Sequence, residues 1–187
     1  MEAEYDTVID LLRQRGAEDI RHPGGTLLAH LQRVERRLRD HGAHDVLRLA
    51  SLAHAVYGTD GFETYLLTLD ERHVLADATN DEVERLVYLY AACARSKTWR
   101  RPDETREVHD RWTGTVSRPA PLTLSRFVDL STVNELDVVE HSEDAGANPG
   151  HCWTSIARGE GSAPPPSAPM PNRCLHLPHK CSCATRR

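Results

Sequence analysis

The chain has 187 residues, a formal net charge of −5 and a pI near 6.1, which is room for one domain plus a tail. An acidic balance without a basic patch excludes a nucleic-acid partner, and no apolar run approaches the ~18 residues of a membrane span. Lys97 and Lys180 are the only lysines among 23 basic residues. With alanine-rich helices, that bias points to a GC-rich coding sequence and a bacterial source. The start MEAEYDTVIDLL is acidic and lacks the basic opening of a signal peptide, so a soluble, cytoplasmic protein is expected.

Val8, Ile9, Leu11 and Leu12 predict a short amphipathic helix stopped by Gly16. RHPGGT is a turn that ends on Thr26, a good N-cap. The next helix is expected over 27–40, with Leu27, Leu28, Leu31, Val34 and Leu38 on one face and His30 close to it. A third, over 45–56, is apolar nearly all round and should be buried on several sides, a face that also allows a homodimer. The loop YGTDGF follows, then a short helix over 71–78 and a longer one, capped by Thr79 or Asn80, that reaches about Arg95. Residues 97–121 read as loop with some local helix. A last helix over 123–141 carries Leu124, Phe127, Val128, Leu130, Val133, Leu136 and Val139. In it, the polar pair Asn134–Glu135 faces either a pocket or solvent. Strand-like alternation is missing, so the expected fold is all-α.

Two boundaries follow from composition: a helical domain over 1–143, and a Pro/Gly/Cys-containing tail over 144–187 that is expected to be disordered. Cys93 stands alone in the first part and reads as a small core residue. Cys152, Cys174, Cys181 and Cys183 all lie in the tail, so no disulfide framework can hold the domain. Cys174, His176, His179, Cys181 and Cys183 form a compact thiol–imidazole cluster, but without zinc-finger spacing.

His30 and His54 carry the chemistry. They are 24 residues apart with Gly42 midway, so each is 12 residues from the expected bend between two helices. At ~1.5 Å per residue both imidazoles lie roughly 18 Å from that bend, level on neighbouring antiparallel helices. Such a pair can begin a helical metal site.

RHPGGTLLAHL, LASLAHAVYGTDGF and ERLVYLYAACARS together resemble a family of small bacterial proteins, DUF6817. Helix order and histidine spacing over roughly 20–95 also resemble the HD-domain superfamily of metal-dependent phosphohydrolases. That resemblance implies an HD-like helical bundle acting on a small phosphorylated substrate. It also implies a divalent metal (Zn, Fe or Mn) on His30 and His54. Two departures stand out: where HD enzymes carry carboxylate ligands, this chain has Ala55 and Ala94. His22 is then a candidate third ligand and Asp60 a fourth. Tyr57 would line the pocket, and Arg21 and Arg95 would hold phosphate oxygens. The alternative is a catalytically inactive module that binds a small molecule or a protein because its carboxylates are gone.

Overall fold

A computed structural model describes residues 2–99 and 105–142 of the chain. The expectations for the tail, its cysteine cluster included, lie outside these residues. Seven α-helices form the described structure: α1 (Glu2–Gln14), α2 (Leu27–Asp40), α3 (Asp45–Ala53), α4 (Arg72–Ala78), α5 (Asp81–Ala92), α6 (Arg95–Thr98) and α7 (Pro121–His141). The expected all-α class holds, with two small additions. β1 (Arg21–His22) pairs antiparallel with β2 (Gly25–Thr26), and β3 (Val108–His109) pairs with β4 (Val116–Ser117). No described helix is long and apolar enough to cross a membrane.

Local chemistry sets the helix ends. Thr26 caps α2 by accepting the Ala29 N–H at 3.2 Å. Asn80 caps α5 by accepting the Glu82 and Val83 N–H groups, both at 3.0 Å. Pro121 opens α7 in its first turn, where its missing N–H costs nothing. Gly42, at φ +73°, closes α2 in a conformation that favours glycine, and Asp45 begins α3 three residues later. α3 ends at Ala53 rather than running to 56, and His54 is its C-cap. α5 likewise stops at Ala92, because Cys93 forms a β-bridge with Asp110.

α3 sits at the centre, touching α1, α2, α5 and α7. Its Leu49, Ala50, Leu52 and Ala53 are buried, together with Leu31, Val34 and Leu38 of α2 and Val83 and Val87 of α5. Phe127, Leu130 and Val133 bring α7 into the same core. Burying an aliphatic side chain of this size contributes about 1.5–3 kcal/mol, so this core is the main stabilising force. Its geometry lays α2, α3 and α7 side by side, and a polar cluster occupies the seam.

Candidate functional site

His30 lies on the inner face of α2 and His54 at the end of α3, with 1% and 2% of their surfaces exposed. Their Nε2 atoms stand 3.4 Å apart. The hairpin about Gly42 therefore brings the two imidazoles into contact. His22, on β1, stacks on His30 with ring centroids 4.0 Å apart.

Each ring of the pair is oriented from behind. The His30 Nδ1–H donates to Asp137 Oδ2 of α7 at 2.7 Å, and the His54 Nδ1–H donates to the Ser51 carbonyl at 2.7 Å. A carbonyl can only accept, so the His54 proton is on Nδ1 and its Nε2 carries a lone pair. Asn134 Oδ1 lies 3.0 Å from His30 Nε2. Asn134 and Asp137 are three residues apart on α7, on the face it turns to α2.

Charge is managed around the cluster rather than inside it. Arg33 grips Asp137 with a two-pronged fork, Nε to Oδ1 at 2.9 Å and Nη2 to Oδ2 at 2.8 Å. The same guanidinium donates to the Pro23 and Gly24 carbonyls, fastening the β1–β2 turn to α2 and α7. Burial pushes the Asp137 carboxyl up, but the hydrogen bonds from His30 and Arg33 outweigh it and hold it well below the usual carboxylate range. Burial, then the neighbouring His30, pushes His54 down to about 3 and His22 to about 4. Both imidazoles are therefore neutral near pH 7, the form that binds metal. The Nδ1 of His22 is buried without a well-formed hydrogen bond.

Gly24 makes the close approach of that turn possible. Its φ is +76°, and an added Cβ would fall 2.6 Å from the His141 ring of α7. Gly24→Ala should therefore cost about 1–3 kcal/mol in a urea melt, from the left-handed backbone and the clash together. A loss below 0.5 kcal/mol, on the order of surface substitutions, would mean that the turn yields freely.

Of the residues singled out in the sequence, the structure brings His22, His30 and His54 together. Asp60 instead accepts the Arg95 backbone N–H at 2.8 Å and so caps α6. Tyr57 is buried, and its hydroxyl donates to Glu84, which Arg72 also grips. Arg21 is exposed on β1. Arg95 reaches over the Tyr90 ring and pairs with Glu135. Asp137, Arg33 and the Ser51 carbonyl escaped the sequence reading. Ser131, Asn134 and Asp137 recur at helical spacing among apolar residues of α7, and that polar stripe was the available signal for Asp137.

The donor set can be tested against a metal ion. Two imidazoles on one tetrahedral zinc, bonded at 2.0–2.1 Å, have nitrogens roughly 3.3–3.4 Å apart, and the separation here is 3.4 Å. Metal-bound histidines usually give their other N–H to a carboxylate or a carbonyl, as both do here. The set is sparse, however. No group of three or more His, Cys, Asp or Glu placed to share an ion occurs among the described residues. Ala55 and Ala94 are themselves buried and offer no donor atom; Asn134 Oδ1, 3.0 Å from His30 Nε2, is a further oxygen at the pair.

Residues 11–95 match a protein-family model described as Domain of unknown function (DUF6817). The match supports placing this segment in that family; it takes in His22, His30 and His54 and stops short of α7. No curated protein and no solved structure matches the chain.

Proposed function

We propose, from the HD-like helix order and histidine spacing of the sequence and from the polar atoms gathered at His30 Nε2, that this chain is a divergent, cytoplasmic metal-dependent phosphohydrolase acting on a small phosphorylated substrate. One observation carries the reading: His30 Nε2, His54 Nε2 and Asn134 Oδ1 meet in a buried spot, and the two nitrogens have tetrahedral-ligand spacing. Lone pairs that face each other need a positive centre between them. His30, His54 and Asn134 would hold a divalent ion such as Zn²⁺, Fe²⁺ or Mn²⁺. Bound there, the ion would supply Lewis acidity to a phosphate ester. The protein's own contribution is orientation. Asp137, locked by Arg33, fixes the His30 ring; Ser51 fixes His54; Tyr90 packs edge-on against His54, with centroids 5.2 Å apart, and shields it. Arg95, which donates to the Tyr90 hydroxyl, would meet a phosphate group by releasing Glu135.

Metal analysis of the full-length chain after dialysis against Zn²⁺, Mn²⁺ or Fe²⁺ tests this reading. About one ion per chain is expected, lost in His54→Ala and His30→Ala. Asn134→Asp should tighten binding by roughly tenfold or more, because a carboxylate replaces a neutral oxygen. A folded wild-type chain that retains no ion, with Asn134→Asp equally empty, would sink it.

A second reading is favoured by the alanines at 55 and 94 and by the lack of a third His, Cys, Asp or Glu ligand. In it the contact of His30 Nε2 with the Asn134 oxygen is an ordinary hydrogen bond and the domain binds a ligand without catalysis. Metal-free protein that melts at the same temperature with and without added ion is its signature.

A further inference from the structure

His30 and His54 are almost fully enclosed, so a solute reaches their Nε2 atoms only if part of the cover moves. That cover has firm parts and a loose one. Ser51, Tyr90, Asn134 and Asp137, which bond to or pack on the pair, belong to α3, α5 and α7 of the packed bundle. His22 instead belongs to a two-residue ladder whose turn, Gly24 and Gly25, is exposed. Its ring lies over His30 with the planes 25° apart, and Phe62 closes its edge at 5.5 Å. His22 is half-buried, and so forms a layer between the fully buried His30 and solvent.

The turn is built to part from the core without unfolding it. Its base is pinned, since the Leu27 N–H donates to the Ile20 carbonyl at 2.8 Å where α2 begins. Its bend is made of Gly24 and Gly25, at φ +76° and +130°, and nothing lies within 4 Å of a Cβ placed on Gly25. Small residues in open space can absorb a backbone rotation. Its tip is held by Arg33, which donates to the Pro23 carbonyl at 2.9 Å and to the Gly24 carbonyl at 3.2 Å. Those bonds are separate from the fork on Asp137, so releasing the turn leaves the buried ion pair intact. Water replaces carbonyl partners readily at such an edge. Opening also lets water reach His22 Nδ1, which the closed turn buries without a well-formed hydrogen bond.

We propose that the β1–β2 turn is a lid over the His30–His54 pair. It pivots at Ile20 and Leu27, is latched by Arg33, and on lifting His22 from His30 admits solvent and small solutes to the two Nε2 atoms. The motion belongs to the protein alone. Its meaning as a gate for an ion and a substrate rests on the reading above.

Carbethoxylation of the full-length chain by diethyl pyrocarbonate in EDTA near pH 7, read residue by residue by mass spectrometry, tests the lid. His54 is the reporter, because its Nε2 lone pair reacts once the reagent reaches it, and exposed His41 and His73 are internal references. A local opening exposes little surface, so the wild-type His54 rate should be nearly independent of urea below the unfolding transition. Arg33→Lys, which loosens the latch, should raise that rate about tenfold at zero urea, with the same flat urea dependence. His22→Ala, which removes the cover, should raise it at least as much. A wild-type rate that climbs with the full urea slope of global unfolding overturns the proposal, and so does an unchanged rate in His22→Ala. Should Arg33→Lys fail to fold, the wild-type slope and His22→Ala still decide. Flat, urea-independent labelling in a chain that takes up no metal would leave the lid standing while the hydrolase reading fell. One bound ion per chain, with His54 labelled only through global unfolding, would do the reverse.

Discussion

Asp137→Ala is expected to lower the free energy of unfolding by about 3–5 kcal/mol, the usual consequence of breaking a buried ionic network on one side only. Asp137 is 3% exposed and answers both His30 Nδ1–H and the Arg33 fork. Without it, a buried N–H loses its acceptor and, among the described residues, the guanidinium keeps the Pro23 and Gly24 carbonyls. The loss should sit near the lower end of that range, because 23% of the Arg33 side chain is exposed and water can partly solvate it. Removing both ends should hurt less than removing one. Arg33→Met with Asp137→Leu is expected to recover at least ~1 kcal/mol over Asp137→Ala, since apolar replacements of similar volume avoid the desolvation cost. Urea unfolding of the wild type, both single variants and the pair measures this directly. A change of less than ~1 kcal/mol for Asp137→Ala, the ordinary size of a lost hydrogen bond, would show that the network contributes little.

Acid should destabilise the fold well before its carboxylates are protonated. His54 is held at about 3 in the folded chain, by burial first and by His30 second, against 6.5 when unfolded. Between those values the unfolded chain binds the extra proton, so stability rises with pH across that window. The contribution is complete above about pH 6.5 and is lost as the pH falls toward 3. The slope is about 1.4 kcal/mol per pH unit for a single group, hence roughly 2–3 kcal/mol between pH 6.5 and 4.5 as an upper bound. His22 has the same sign but is partly exposed, and adds less. Asp137 acts in the same direction only at lower pH, because its folded value lies below the carboxylate range. Unfolding measured in EDTA from pH 7.5 to 4 should show this slope in wild type. In His54→Asn, whose amide can still donate to Ser51, the curve should flatten over the upper part of the range. Identical curves for the two proteins would mean that His54 titrates normally.

The contrast between His54 and Asp137 explains how far the sequence could be read. The histidines meet across a bend marked by one glycine, so helical rise and spacing were enough to place them level. Asp137 pairs with His30 across 107 positions. The periodicity of α7 shows that Ser131, Asn134 and Asp137 share a stripe, but not which helix that stripe meets. Asp60 and Tyr57 follow His54 closely in the chain, yet adjacency misleads there. The chain turns at Gly58, and the two side chains serve α6 and Glu84 instead. RHPGGT was legible as a turn; its conversion into a two-residue ladder depends on Gly24 and Gly25, both at positive φ. α5 stopped early because Cys93 pairs with Asp110, a partner supplied from 17 residues downstream and invisible to helical periodicity.

The long reach between α2 and α7 also has a temporal meaning. Joining His30 to Asp137 closes a loop of about 107 residues, an entropic toll of roughly 4 kcal/mol if the intervening chain were still flexible. The α2–α3 hairpin closes over 24 residues, which costs about 1.3 kcal/mol less by the same scaling. Contacts of such different range form in sequence, local ones first. The His54 imidazole can therefore find His30 early, whereas the His30–Asp137 bond awaits docking of the last helix. Formation of the hydrogen bond from His30 Nδ1 to Asp137 therefore reports that α7 has docked.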